Sequence, residues 1–502
     1  MTKKIRNYAW TIPFIIGYIL WAVFYRVNPL HYDMYVMKTD FLVRNSTFIG
    51  VLKAVFFTGG CWKNARYLVN IINIYFVSNE WLFDYVMPLV FVLGVYYAQK
   101  TMNKAGKWYV TIAGLGLFMC VSNGIVGACY SYSYVLYLLP VFFVSMFVYL
   151  IEKYMEDENT IRTLPQRLGF ILLVYCCACF NEHLSCAFSV TMIWYLIKEK
   201  VILKRKGKLL PIATAISLAQ TIYMNMYLII KQTRPLAQNG TQLVEIIKTN
   251  FRILILETWI SNPVIVVLFL ATLLLVMRDR VVWRIIDSTL LISYLLWFAA
   301  VYINGGFDTI NKRTSDVEVP FVPENLWWLW ALLYISINLM VLYQLFITSQ
   351  AMATIFFLGG CSTVPILVTP NTGWSISAIY IFMIIITTVM LMQGSDCNKC
   401  LKAVEMIICI FVGVIGLSLL LPRIYRINTV NRAREKAVKE VNDKQISGDW
   451  DMDRDTLYLP AFDTRDVVNG GRPDANSNYM WNYCYAYNLD KRTIIESKSI
   501  LE

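Results

Sequence analysis

Apolar runs of near membrane-spanning length recur along this chain from its start to about residue 421, separated by short basic turns. A helix needs about 20 apolar residues to cross a bilayer core. Thirteen stretches approach that requirement, beginning with 9–26 and 83–99 and ending with 374–392 and 403–421. Of the residues, 58% are hydrophobic and 16% charged, whereas roughly a quarter of a soluble domain is charged. A single soluble core of this size cannot bury such an excess, and lipid resolves it. The 15 Trp and 32 Tyr suit membrane interfaces. The pattern predicts an all-α polytopic membrane protein of about 13 transmembrane helices over residues 1–421. A small extracytoplasmic α+β tail domain is expected over 422–502.

Lysine and arginine set the orientation. They cluster in alternate loops: Lys3, Lys4 and Arg6, then Lys100 to Lys107, Arg162 and Arg167, Lys198 to Lys208, Arg278 to Arg284, and Lys399 with Lys402. The loops around Ala128, Glu182 and Asn371 carry none. This places the N-terminus in the cytoplasm and, with an odd number of spans, the C-terminus outside. The net charge of +12 is therefore read as topology, with no basic, aromatic-interleaved segment for nucleic acid. The N-terminal run lacks a small-residue cleavage site and reads as an uncleaved first span. Long segments then face outward, including the loop 27–82, Lys231 to Asn250 and Gly305 to Asn325. Function usually sits on such elaborated faces. No internal repeat and no matched pair of broken spans supports a secondary transporter.

The runs 168–180 and 184–197 are short and meet at Asn181-Glu182-His183. They read as two half-height helices joined at a polar elbow, a break that survives only beside protein or a watery cavity. Ionisable residues near membrane depth are costly, which makes Glu182 a functional suspect. Its plain structural alternative is a helix-end carboxylate pairing with a neighbour such as Arg66. The two histidines, His31 and His183, each stand beside a carboxylate, Asp33 and Glu182. Such pairs do acid–base work or hold a divalent cation such as Mg or Mn. Asp33 and Asp40 follow the first span, where a carboxylate can take a proton from a sugar hydroxyl. Segment 48–76 reads as an interfacial amphipathic helix. Within it Lys63, Asn64 and Arg66 are candidates to hold a lipid-linked phosphate. Arg234, Lys248, Arg252, Lys312 and Arg313 extend the same outer basic pocket. The cysteines lie mostly in apolar runs and read as packing residues. Cys397 and Cys400 lack the second pair that a zinc site needs. No Walker loop, dinucleotide fingerprint, HExxH or GxSxG motif occurs.

The tail reads as a charged helix from Asn431 to Asp443, a strand at Thr456–Pro460 and an aromatic run from Asn478 to Tyr487. Taken together, His31-Tyr32-Asp33, Asn64-Ala65-Arg66, Asn181-Glu182-His183 and this tail resemble a family. It comprises bacterial multispanning proteins of unassigned function related to polyprenyl-phosphate-dependent, GT-C type glycosyltransferases. Two departures stand out: Asp33 has no acidic neighbour, and Ala65 replaces the glycine of an Asn-Gly-Arg element. The resemblance implies a bacterial plasma-membrane enzyme that moves a sugar from a lipid-phosphate donor to a surface glycan or glycolipid. Asp33 would be the general base and Arg66 would hold the donor phosphate. A flippase or transporter, or a polymerase, of lipid-linked saccharides is the rival reading. Acids buried mid-span would favour the transporter, and Asp287 and Glu257 are the exceptions near span ends.

Overall fold

The computed structural model describes residues 9–27, 47–57, 66–121, 137–231, 240–277, 279–303, 326–368, 377–395, 399–451, 455–460, 484, 489 and 493–498. These residues are almost wholly helical. Six of their helices are long and apolar enough to cross a bilayer. The pair Leu243–Ile260 and Pro263–Val276, bent by 71°, makes a seventh. The chain is therefore a multi-pass helical membrane protein.

In chain order the helices are α1 (Ile12–Val27), α2 (Phe48–Phe57), α3 (Tyr67–Ser78), α4 (Glu80–Thr101), α5 (Trp108–Met119) and α6 (Leu139–Glu156). Next come α7 (Leu164–Cys179), α8 (Glu182–Ile197), α9 (Leu209–Lys231), α10 (Gly240–Ile255) and α11 (Pro263–Val276). The remainder are α12 (Val281–Ile303), α13 (Trp327–Thr348), α14 (Gln350–Leu367), α15 (Ala378–Gly394) and α16 (Lys399–Ser447). The expected single helix over 48–76 is thus two elements, α2 and α3, with residues 58–65 outside the described set.

The apolar pattern tells which helices are central. Every residue of α15 from Ala378 to Gln393 is buried, as expected of a helix that is apolar all round. It packs against α4, α5, α11 and α14. By contrast α12 and α13 are peripheral, with Leu296, Ile303 and Leu332 facing outward. The helices α5 and α16 cross with their backbones in close contact. A Cβ on Gly416 would lie 2.7 Å from the carbonyl oxygen of Gly116, and one on Gly116 would lie 2.9 Å from the Cα of Gly413. Small residues permit such backbone approach in lipid, where packing rather than the hydrophobic effect joins helices. At the basic end, Lys107 Nζ ties α5 to its neighbours by donating to the carbonyls of Met392 at 2.7 Å and Ser395 at 3.0 Å. The same Nζ lies 3.3 Å from Glu405 Oε1.

Two boundaries differ from the sequence reading. The sequence reading ended the last apolar run at residue 421, whereas the helix α16 does not stop there but runs through Pro422 to a total of 49 residues, Lys399–Ser447. At 1.5 Å per residue that is about 74 Å, more than twice the hydrocarbon thickness of about 30 Å. An interior proline removes one backbone bond, and Pro422 lies on an exposed face of the helix. The far end of α16 carries a parallel pair, β1 (Thr456–Pro460) and β2 (Ile494–Lys498), in register Thr456↔Ile494. Val438 and Val441 of α16 are buried with Leu457, Leu459, Cys484 and Ile495. Buried Arg434 donates from Nε to the carbonyl of Pro460 at 2.6 Å. The strand at Thr456–Pro460 lies where its sequence placed it, whereas most of the aromatic run 478–487 is outside the described residues.

The second boundary is the elbow. The helices α7 and α8 have 16 residues each, about 24 Å by rise. They are therefore longer than half-height helices. Both starts are chemically defined. Thr163 and Gln166 form a capping box that opens α7. Asn181 caps α8, its Oδ1 accepting from the backbone N–H of Leu184 at 2.7 Å.

Candidate functional site

Two elements far apart in sequence meet at the elbow. Arg66 precedes the first turn of α3, and Glu182 is the first residue of α8. The Arg66 Nε–H lies 3.0 Å from each oxygen of Glu182, and Nη2 donates to Oε2 at 2.8 Å. The partners are 116 residues apart. This side-on fork matches planar guanidinium to planar carboxylate and is stronger than a neutral hydrogen bond. The carboxylate is 1% exposed, so little water screens the pair and its coupling is strong. The next residue, His183, is part-buried, and its Nδ1 has no hydrogen-bond partner among the described residues.

Below the pair a polar seam descends into the bundle. The Tyr67 hydroxyl donates to Gln220 Oε1 at 2.7 Å and accepts from the Tyr175 hydroxyl at 3.0 Å. Further along, Ser185 and Ser189 of α8 face Ser217 and Thr221 of α9. The hydroxyl contacts are 2.5 Å (Ser185–Thr221), 2.7 Å (Ser189–Ser217) and 2.8 Å (Ser189–Thr221). Hydroxyls satisfied across helices bind segments together in lipid. The sequence reading missed this seam. Its signal is a pair of four-residue spacings on two neighbouring apolar helices, which puts each pair of hydroxyls on one face.

Of the residues proposed from sequence, Arg66, Glu182 and His183 come together at the elbow. The remaining proposed residues, His31, Asp33, Asp40, Lys63, Asn64, Arg234, Lys312 and Arg313, lie outside the described residues. Lys248 and Arg252 sit on α10, with Lys248 3.7 Å from Glu245. The contact with Arg66 is the structural alternative stated for Glu182. Both Glu182 oxygens face one guanidinium. The free cysteines include buried Cys177, Cys179 and Cys409, with Cys400 exposed. Among the described residues no group of three or more His, Cys, Asp or Glu side chains could hold a metal ion.

Two more acids lie deep in the bundle. Asp287 of α12 is fully buried and accepts from Gln344 Nε2 of α13 at 2.9 Å. Its Oδ2 and the Oε1 of Gln344 both lack a partner among the described residues. Buried Glu257 lies in a π turn, Leu256–Ile260, just before the 71° bend, and its carbonyl accepts from the side chain of Asn262. Such π turns often mark functional positions. No protein-family model, curated protein or solved structure matches the chain.

Proposed function

We propose that this protein is a membrane glycosyltransferase of the GT-C type. It moves a sugar from a polyprenyl-phosphate donor to a glycan or glycolipid on the outer leaflet of a bacterial plasma membrane. In this reading the chain crosses about thirteen times, with its N-terminus cytoplasmic and residues 422–502 forming an extracytoplasmic unit. The observation that carries the proposal is the Arg66–Glu182 fork. Arg66 of the Asn-Ala-Arg element and Glu182 of the Asn-Glu-His elbow, singled out separately by the resemblance, are in direct contact.

The chemistry asks little of the protein beyond placement and charge. Asp33 takes the proton of the acceptor hydroxyl as its oxygen attacks the anomeric carbon. The bond from that carbon to the donor phosphate breaks, and the lipid phosphate leaves with the bonding pair. Arg66, held rigidly by Glu182, offsets the charge that develops on the phosphate. The loss of one positioned charge typically costs about 10²–10³-fold in rate.

The test uses full-length protein in proteoliposomes with a short polyprenyl phosphate carrying a radiolabelled sugar. Wild type should transfer label to acceptor. Asp33→Asn should abolish transfer, and Arg66→Lys should reduce it about a hundredfold. No transfer from any lipid-phosphate sugar, or wild-type rates in both variants, would refute the proposal.

A second reading, a flippase or transporter of lipid-linked saccharides, is favoured by one observation, the buried acid Asp287 on an apolar helix. Loss of lipid-linked sugar translocation in Asp287→Asn, with transfer chemistry absent from wild type, would select it.

A further inference from the structure

Three helices leave a groove at the basic end of the bundle that the proposed transfer site does not use. Its volume is about 450 Å³, within the range of roughly 300–1,000 Å³ for ligand pockets. Each helix contributes a stripe at helical spacing: Val190 to Trp194 of α8, Leu339 to Phe346 of α13, and Gln350 to Phe357 of α14. Val190, Tyr343 and Phe346 are about half exposed, so the groove opens sideways toward lipid.

Polarity along the groove is graded. The end formed by Val190, Leu339 and Phe357 is apolar. At the other end sits Gln350, whose Oε1 accepts from Lys198 Nζ. Lysine is only a donor, so this bond fixes the orientation of the amide. The Nε2 amide group is then the side turned away from Lys198, and it is buried without a partner among the described residues. A buried donor without an acceptor is unfavourable, and a ligand that supplies one removes the penalty. Two acids stand near this end: Glu152, engaged by the Tyr195 hydroxyl at 2.6 Å, and buried Glu199, which pairs with Lys200 at 2.9 Å. Trp194 and Tyr343 flank the groove, as aromatics do at a bilayer interface.

We propose that this groove is a specific phospholipid site. One acyl chain lies along the apolar stripes, and the phosphodiester sits at the end that carries Lys198 through Lys208, accepting from Gln350 Nε2 and Lys198. An apolar tail with a phosphate at one end is the ligand whose polarity runs the same way as the groove. The basic turn places that headgroup in the cytoplasmic leaflet under the orientation proposed above. The site does not depend on glycosyl transfer.

The experiment delipidates the full-length protein in detergent, rebinds dioleoyl phosphatidylglycerol and counts bound lipid by native mass spectrometry. Wild type should retain one lipid under conditions that strip the rest. Gln350→Leu removes the orphaned amide and should weaken binding about tenfold. Ala353→Trp fills the groove and should abolish binding. In membranes, benzoylphenylalanine at Leu342 should crosslink this lipid well above the level at Leu296, an outward-facing control. Equal retention in wild type and Gln350→Leu overturns the proposal. So does equal crosslinking at the two positions, or displacement of the lipid by inorganic phosphate alone.

Discussion

Truncating Arg66 should destabilise the protein more than neutralising Glu182, although both changes break the same contact. Arg66→Met leaves a carboxylate that is 1% exposed with its guanidinium removed. An uncompensated buried charge of this kind costs about 3–5 kcal/mol. Glu182→Gln leaves a cation whose side chain is 21% exposed. That group can turn toward water, so the loss is nearer that of charge-assisted hydrogen bonds, about 1–3 kcal/mol. The double variant Arg66→Met/Glu182→Leu strands no charge and should recover part of the loss, with a coupling of about 1–3 kcal/mol. A thiol-reactive dye reads the unfolding, because Cys177 and Cys179 are buried two to four residues before the elbow while Cys400 gives a constant background. Midpoints are compared at one scan rate, since membrane proteins often unfold irreversibly. A larger loss in Glu182→Gln than in Arg66→Met, or strict additivity in the double variant, would refute the reasoning.

Asp287→Asn should leave the unfolding midpoint unchanged or raise it, because the new amide can donate to Gln344 Oε1 while its oxygen keeps the 2.9 Å bond; a fall of several degrees would show that the carboxylate itself is needed. Gly416→Ala should destabilise by about 1–3 kcal/mol, since its methyl would meet the Gly116 carbonyl at 2.7 Å. Gly360→Ala, with its nearest contact at 3.9 Å, should be tolerated in the same melting assay. Cys400, alone in an otherwise cysteine-free background, should react with an impermeant maleimide in inverted vesicles and not in intact cells; the opposite pattern would reverse the proposed orientation.

The membrane class was legible because it needs only run length and composition. The helix starts at Thr163 and Asn181 are set locally, since a cap uses side chains within three residues of the backbone it serves, yet the sequence reading followed the apolar runs and began them later, at 168 and 184. Features that depend on distant partners were not. The continuation of α16 through Pro422 runs against the local cost of an interior proline, which removes one backbone bond. The strand Ile494–Lys498 pairs with Thr456–Pro460 across a long intervening stretch, so its own five residues carry a weak signal. The seam of Ser185, Ser189, Ser217 and Thr221 shows the intermediate case. Each spacing is visible in one helix, but the register that brings the two together belongs to the pair. Arg66 and Glu182 were each visible as charges in apolar surroundings. Their contact was named from sequence only as the plain alternative for Glu182.

That contact satisfies a structural role and a catalytic one equally well, and the double variant separates them. If the fork serves only to join α3 to α8, an apolar pair of similar volume should hold the elbow together and leave sugar transfer intact. If Arg66 offsets charge on a departing phosphate, the same variant should fold near normally and still lose about a hundredfold or more in transfer rate, because no apolar side chain supplies that charge. The loss should then fall on turnover more than on apparent donor affinity, since charge builds on the phosphate mainly as its bond breaks. A stable double variant with wild-type turnover would leave Arg66 and Glu182 as scaffolding and move the search for the donor site to the other basic residues singled out from the sequence.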